Sequence, residues 1–557
     1  MRADPTATFF QSPGWCMEWY RCYDAVFKPL VVAVTSGELL LGVVPLAVER
    51  STRRLTFASD EMSDYRDVVA VPAYRGLVVA ELLRVCRQGN FPPPLHLGPM
   101  QPESDTLDIA LRLSGSLTGP RMIVRSHPSW RWRFTDSAAV KGLTGKKSVR
   151  QPLSHYRRQG PVALERIETS EAWEAIKQEF FDQHSLRQMY TNRPVSFSDA
   201  RKKAFYSALL RKHSSSIHVT ALRVGGRMLA MHYGYTWKDV LYWGAPAFDI
   251  TEAKHSPGQV LLALVFQSAA ANGMRGVDLT LGIEEYKKRF SNEHVELPTL
   301  EIYARARGYY SRRLRDEAVS IAKSAVVKWR GPQAWERVKD IFGLSGRGRH
   351  GLWEVGASAA RRAKDALATE TKRLIFVAMP DDLREVVPRL MAGERYEWRS
   401  DRITDLLKWD HDDRRTARRI AMTVKRVPES LRSGHMLHTL LLNDHLVGWG
   451  WSYLPREPVA LRDTKTSFEV EPNSVWLYDF HLLPPSREHP LHQAALLARI
   501  VKERLGKGAA RAYIVCAHTD ALLRGAIEQA GFRLVRIDKL TRVLGRERGV
   551  IRPYLSS

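Results

Sequence analysis

The stretch His255-Ser-Pro-Gly-Gln259 through Asp278-Leu-Thr-Leu-Gly-Ile-Glu-Glu-Tyr-Lys287 reads as one supersecondary unit with a polar cluster at each end. Ser256 is placed to cap a helix whose first residue is Pro257, and Gln259, three residues on, can reach back to complete a capping box. Asn272-Gly273 supplies a left-handed stop, so the helix is expected over residues 257–271. Its body, Val260-Leu-Leu-Ala-Leu-Val-Phe266, is apolar almost all round, which predicts burial on most sides. After the Gly273-Met-Arg-Gly276 turn, Val277-Asp-Leu-Thr-Leu281 alternates as a strand and ends at Gly282.

Working outward, three strands precede the helix, at Ile217-His-Val-Thr-Ala-Leu222, Arg227 to Tyr235 and Val240-Leu-Tyr-Trp-Gly244, with turns at Gly225-Gly226 and Trp237-Lys-Asp239. Glu171 to His184 is an amphipathic helix. Gly145-Lys-Lys-Ser-Val-Arg150 and Tyr156-Arg-Arg158 are dense in cations, and Pro152 between them is expected to break or kink any helix there. Nearer the N-terminus, Pro29 to Val34 and Leu39 to Leu46 form a hairpin around Ser36-Gly37, followed by the loop Ser63-Asp-Tyr-Arg-Asp67, a helix from about Tyr74 to Cys86, and the break Phe91-Pro-Pro-Pro94.

Phe248-Asp249, Ser256-Pro-Gly258, Asp278, Gly282 and Tyr286-Lys287 fall at the spacing of a known pattern. That pattern is an aromatic residue and Asp, a short spacer, Ser-Pro-Gly, an apolar helix, then Asp-x-x-x-Gly-x-x-x-Tyr-Lys. The chain thereby resembles the CelD-like acyltransferases associated with cellulose biosynthesis, members of the GNAT (Gcn5-related N-acetyltransferase) superfamily and relatives of the Fem peptidoglycan aminoacyl transferases. The likeness runs over roughly residues 14–305 and takes in the Pro45-Leu46 strand end and the Ser63–Asp67 loop. It implies an α/β fold and acyl transfer from acyl-CoA or acetyl-CoA. The Lys/Arg-rich helix of that family corresponds to the cationic segment that here contains Pro152.

The 557 residues suffice for two to four domains, and 44% hydrophobic content with 15 Trp is ample for real cores. A formal charge of +25 points to an anionic partner, whether a phosphorylated cofactor, a membrane surface or nucleic acid, or else to an Arg-rich composition with no dedicated site. Cys16, Cys22, Cys86 and Cys516 are scattered without CxxC spacing, so neither a zinc site nor a disulfide framework is indicated, and no metal is expected. Met1-Arg-Ala-Asp-Pro5 is not followed by an apolar run of signal-peptide length, and no window approaches the ~20 apolar residues that span a bilayer. A cytoplasmic protein is expected, with a basic surface able to contact the inner face of an anionic membrane.

From Ser311 to Arg373 the pattern changes to basic helices and linker, with Leu314, Ala318, Ile321, Ala322, Ala325, Val326 and Trp329 on one face. Beyond it, a hairpin at Met436 to Leu442 and Leu446 to Trp451, a strand at Val475 to Phe480, a helix at 490–504, a strand at Ala512 to Cys516, a helix at Ala521 to Gln529 and Gly531-Phe532 resemble the end of a divergent GNAT domain. Four segments are expected: two GNAT-like halves at 1–128 and 129–310, a connector at 311–373 and a C-terminal GNAT-like domain at 374–557. The fold class is therefore α/β (α+β), with tandem mixed sheets flanked by helices.

Acyl transfer from a thioester needs a base for the acceptor's proton and a donor near the departing thiolate. Asp249, Asp278 and Glu285 are candidate bases, with His232 and His255 behind them. Tyr242 or Tyr286 can donate, and Lys287 can neutralise a phosphate or developing oxyanion. His255, Ser256, Gly258 and Gln259 stand at a helix start suited to phosphate, and Lys146, Lys147 and Arg150 can add charge. In the C-terminal domain, Arg487-Glu-His-Pro-Leu-His492 occupies the place of the GNAT phosphate loop but lacks its glycines, so Arg487 pairs with phosphate there or the site has decayed. The resemblance implies a small-molecule or glycan acceptor from envelope or exopolysaccharide synthesis. Fem-like transfer from tRNA and a non-catalytic scaffold in a polysaccharide synthase are the alternatives; nucleic acid enters only through the first.

Overall fold

The computed structural model describes all residues except 2, 60, 61, 90, 93, 115–120, 136–139, 141, 331–367, 380, 381, 383–395, 410–412, 462, 484–489, 544, 545 and 554–557. It divides into two compact units, Met1–Gln188 with Pro194–Ser324, and Met189–Arg193 with Ala325–Ser557.

In the first unit α1 (Pro13–Cys22) precedes a small antiparallel sheet of β1 (Phe27–Ser36), β2 (Leu39–Glu49), β3 (Leu55–Phe57) and β4 (Val69–Ala70). The expected hairpin turns at Gly37, whose φ of +57° suits glycine. Val78, Val79 and Leu82 of α2 (Arg75–Gln88) and Ala110 of α3 (Thr106–Ser114) share a core with Val44, Leu46 and Phe57 of this sheet.

The principal sheet runs in the order β5-β12-β6-β11-β10-β9-β8-β7. Its strands are β5 (Leu95–Leu97), β6 (Arg121–Arg133), β7 (Val162–Ile167), β8 (Ile217–Val224), β9 (Arg227–Trp237), β10 (Val240–Phe248), β11 (Gly276–Leu281) and β12 (Glu293–Tyr303). Every neighbouring pair is antiparallel except β10 with β11, which is parallel. Among the described residues five further helices follow α3 in this unit before its last strand, β12: α4 (Lys147–Gln159), α5 (Ser170–Tyr190), α6 (Ala200–His213), α7 (Pro257–Ala271) and α8 (Glu285–Arg289); α9 (Ala306–Arg330) comes after β12. The apolar α7 lies over one face, where Val260, Leu261, Val265 and Phe266 are buried with Leu241, Trp243, Val277 and Leu279. The other face holds an aromatic core that includes Phe9, Phe10, Trp15, Trp173, Tyr233, Tyr235 and Tyr242.

Helix α7 has the expected bounds and ends as read: Gly273 is left-handed at φ +75°, and the Met274 amide donates to the Ala269 carbonyl while that of Gly273 donates to Ala270. Its start differs from the expectation. Ser256 makes no side-chain cap bond and the capping box with Gln259 does not form. Ser256 both closes the 3-10 turn Ile250–His255 and opens α7, and the left-handed backbone with which it closes the turn (φ 48°, ψ 53°) is not the extended backbone an N-cap uses. Pro152 likewise does not break its helix: α4 runs through it to Gln159. The hydrogen bond that Pro152 cannot make is offset by burial of Val149, Leu153 and Tyr156 in the core shared with α7.

The second unit repeats the plan. Its sheet runs β14-β15-β16-β19-β20-β13-β21-β22, from β13 (Ala368–Ala378), β14 (Tyr396–Ser400), β15 (Met436–Leu442), β16 (His445–Tyr453), β19 (Val475–Leu482), β20 (Ala512–Ala517), β21 (Arg533–Val543) and β22 (Arg546–Pro553). Again one pair is parallel, β19 with β20. A separate hairpin pairs β17 (Val459–Leu461) with β18 (Thr466–Phe468). The helices among its described residues include α10 (Arg414–Arg432), α11 (Pro490–Gly506) and α12 (Ala521–Gln529), and α11 supplies Leu496, Leu497, Ile500 and Val501 to the core. The architecture is thus the expected α/β one of two mixed sheets flanked by helices. Among the described residues all four cysteines are free thiols, and no helix is long and apolar enough to cross a membrane.

Candidate active site

Strands β10 and β11 stay paired for only three residues, Val240 with Gly276, Leu241 with Val277 and Tyr242 with Asp278. Beyond these the backbone departs from regular strand on both sides. The register of β10 with β9 shifts between Tyr242 and Ala245, and that of β11 with β6 between Asp278 and Leu281, where Thr280 has φ +58°. A residue held in the left-handed region inside a strand is costly, and such strain collects at functional sites. Pairing of the two strands ends here, and the Trp243 carbonyl accepts from the Thr280 hydroxyl at 3.4 Å instead of from a strand amide.

The loop Ser63–Asp67 enters this opening from the N-terminal region. The Tyr65 hydroxyl donates to Asp278 Oδ2 at 2.8 Å and lies 3.3 Å from Ser129 Oγ. Arg131 Nε stands 3.2 Å from the same Asp278 oxygen, while the Thr280 amide donates to Oδ1 at 2.8 Å. Both carboxylate oxygens of the buried Asp278 are therefore engaged. Burial works against the Arg131 charge, but Asp278 and Tyr65 outweigh it and hold the guanidinium charged. Burial, with the Asp278 charge added, raises the Tyr65 phenol well above its usual range.

Asp64 lies beside this cluster with its carboxyl in a different state. Burial pushes it up to about 6; the Asp278 charge acts in the same sense, and Lys287 and a hydrogen bond from Thr280 act against it. Lys287 is itself buried, its ammonium donating to the Leu281 carbonyl and lying 3.5 Å from Glu284 Oε2. Gly282, at φ +138°, makes room for that contact, since a Cβ there would lie 2.0 Å from Glu284 Oε2 and 3.0 Å from Lys287 Nζ. The site thus pairs a carboxylate held by two hydrogen-bond donors and the Arg131 cation with a second carboxyl pushed up to about 6.

Of the residues singled out from sequence, the fold brings Asp278 and Lys287 together with Tyr242, whose ring centroid is 6.0 Å from that of Tyr65. Tyr286 packs half-buried against the α7-side core, and Glu285 is exposed. Asp249 stands seven residues past Tyr242, about 20 Å further along the strand direction, where it caps the turn Ile250–His255 through the Thr251 amide and pairs with Arg227. His255, Ser256, Gly258 and Gln259 are half-buried at the start of α7, on that same side. Lys146 is at the far end of α4 from them: its ammonium donates to the Arg289 carbonyl and sits over the rings of Trp132 and Phe290. Lys147 and Arg150 are exposed on the first turn of α4. His232 is buried and stacked on Trp243, with ring centroids 3.9 Å apart, and burial drives its pKa well below the usual value. Arg487 lies outside the described residues.

Asp64, Tyr65 and Arg131 are the site residues that sequence reasoning missed. Asp64 and Tyr65 stood in the quoted Ser63–Asp67 loop, which was the available signal; Arg131 sits in a strand and carried none.

A cavity of about 300 Å³ opens on the other side of the three paired residues, with Arg131, Tyr242 and Asp278 in its wall together with Glu103, Arg133, Trp237, Lys238 and Arg275.

Residues 145–288 match the family model of the acetyltransferase (GNAT) domain. No curated protein matches the chain. Among solved structures, the C-terminal domain assigned to a lysylphosphatidylglycerol synthetase of Agrobacterium fabrum aligns over 57% of this chain and 92% of its own, at 13% identity and TM-score 0.37. FemX aligns over 55% and 95%, at 8% identity and TM-score 0.39. A tandem GNAT protein from the clavulanic acid biosynthesis pathway aligns over 69% and 99%, at 11% identity and TM-score 0.22. The matched span, residues 145–288, thus reads as an acetyltransferase domain of the GNAT type, and it includes α4, α7, β10, β11 and Lys287.

Proposed function

We propose that the first unit is an acyl-CoA-dependent N- or O-acyltransferase of the CelD-like kind, with Asp64 as general base. The observation that carries this reading is the poised Asp64 carboxyl beside the locked Asp278, at the point where β10 and β11 part. The thioester of acyl-CoA or acetyl-CoA lies in that opening. The acceptor's amine or hydroxyl attacks the thioester carbonyl carbon, Asp64 takes the acceptor's proton, the C–S bond breaks, and the thiolate leaves to be protonated. Tyr65 and Arg131 position Asp278, which holds Thr280 and the shape of the opening. Lys287 balances the negative charge that Asp64 and the departing thiolate bring. The amides of the first turn of α7, with Gly258 at its second residue, hold donor phosphate. A Cβ at Gly258 would meet only Phe248, at 3.5 Å, so packing does not demand glycine there, and its absence leaves the backbone open to approach.

The cavity of about 300 Å³, whose wall shares Arg131, Tyr242 and Asp278 with the site, takes a charged end of the acceptor, and the acceptor's nucleophile extends from it to the opening. Arg131, Arg133, Lys238 and Arg275 outnumber Glu103 and Asp278 in its wall, which favours an acceptor bearing phosphate or carboxylate, as envelope and exopolysaccharide precursors do. In this reading residues 129–310 carry most of the active site and residues 1–128 add Asp64 and Tyr65 to it, while 311–373 connect and 374–557 form a divergent copy.

Calorimetric titration of the full chain with acetyl-CoA and a longer acyl-CoA tests the donor, and Asp64→Asn tests the base. The variant should bind acyl-CoA as the parent does and lose turnover in an acceptor screen. If the parent binds no acyl-CoA and instead binds tRNA with steep salt dependence, the Fem-like route replaces this one.

A further inference from the structure

In a 3-10 turn residues three apart eclipse one another, so in the turn Ile250–His255 the side chains of Glu252 and His255 share one side. Helix α4 brings His155 against them. The imidazole rings of His155 and His255 stack with centroids 3.7 Å apart and planes within 14°. One donor atom from each of His155, Glu252 and His255 lies within 4.8 Å of the other two, and all three residues are half-buried.

We propose that His155, Glu252 and His255 form a site for a divalent transition-metal ion of the zinc class. Two imidazoles and one carboxylate are the donor set zinc takes when a fourth position stays open to water or a ligand. Tetrahedral zinc at ~2.0–2.1 Å from nitrogen draws its ligand atoms to about 3.3 Å from one another. The three donors must therefore close by at most about 1.5 Å, and the two rings must turn out of their stack so that their in-plane lone pairs converge, movements that side-chain torsions supply where the residues are not locked by burial.

The surroundings supply the outer contacts that metal ligands need. Gln159 reaches His155 Nε2 at 2.8 Å. Arg227 holds Glu252 at 3.4 Å and pairs with Asp249, so the carboxylate is oriented from outside the triad. The Tyr156 hydroxyl donates to the His255 carbonyl at 3.3 Å and fixes the backbone of that ligand. A bound ion would join α4 to the turn that leads into α7. No cysteine takes part, which is why thiol spacing gave no sign of the site.

The test uses the full chain, stripped by chelator dialysis and titrated with zinc chloride against a chromophoric chelator, then with cobalt chloride. The parent should take up one zinc per chain at this site, show the intense visible absorption of four-coordinate cobalt, and melt at a higher temperature with zinc than without. His155→Ala and Glu252→Gln should each weaken that uptake at least tenfold and abolish the zinc-dependent melting shift. His155→Gln, which keeps the helical character of α4, should do the same with an unchanged far-ultraviolet spectrum. Failure of the parent to bind zinc, or parental affinity in His155→Gln, would overturn the proposal.

Discussion

The two eight-stranded sheets share seven strands in the same order and direction: β7-β8-β9-β10-β11-β6-β12 in the first, β14-β15-β16-β19-β20-β13-β21 in the second. Each has one parallel pair, and each such pair holds for three residues, Val475 with Ala512, Trp476 with Tyr513 and Leu477 with Ile514 in the second unit. The chemistry at the shared place differs. On the face turned away from the crossover helix, the paired positions in the first sheet are Tyr242, Asp278 and, across on β6, Arg131. Their counterparts in the second are Trp476, Tyr513 and Val377, part of an apolar cluster. Beyond the pairing the second sheet has a cavity of about 440 Å³ with Asp479 and His481 hydrogen-bonded at 2.9 Å, where the first has Asp64, Thr280 and Lys287. Backbone geometry alone thus makes the opening, and side chains decide what it can do.

The largest contrast should come from removing the base. Asp64→Asn is expected to lower kcat/KM by ~10²–10⁴-fold, the range of a lost general base, with the fold intact by circular dichroism; a change under threefold would remove Asp64 from the mechanism. Next, Arg131→Ala leaves Asp278 buried without its cation and should cost about 3–5 kcal/mol of unfolding free energy, measured by urea melts, whereas Val377→Ala in the second sheet should cost under half of that.

A milder test is pH. Asp64 acts deprotonated, so kcat/KM should fall about tenfold per unit below pH 6 and level off above it. Stability runs the other way. A raised folded-state pKa means the native protein holds this proton more tightly than the unfolded chain, a stabilisation present below about pH 4 and lost as pH rises through about 6. Asp64→Asn should flatten both profiles; an activity midpoint that survives the substitution would assign it to another group. The smallest effect is reserved for the second unit. His481→Ala should change acyl transfer less than twofold, and a larger loss would mean that the second opening takes part in the reaction.

Much of the fold was legible because its signals are local. The span of α7, the strands around Gly225-Gly226 and the Gly273 stop follow from periodicity and turn chemistry within a few residues. The start of α7 was not, because Ser256 serves two elements at once and only one can set its backbone. Part of the candidate site was equally visible: Asp278 and Lys287 lie in the stretch first singled out. Asp64 and Tyr65 meet them from 213 to 223 residues upstream, a meeting that no spacing rule encodes. Asp249 showed the converse, a carboxylate close in sequence to the α7 start that packing gives to a turn cap and an ion pair with Arg227.

The eighth strand separates the two sheets in another way. In the second, β22 follows β21 directly and the edge closes as a hairpin, Val543 opposite Arg546. In the first, the edge strand β5 comes from residues 95–97 and waits for β12 at 293–303. At a synthesis rate of ~5–20 residues per second, that wait lasts about 10–40 s on the ribosome. Throughout it the edge of β5 has no partner from this sheet. The edge of the first sheet is thus open to misassembly during translation, whereas that of the second closes as soon as β22 is made; in both sheets one inner strand, β6 and β13, also waits for partners synthesised later.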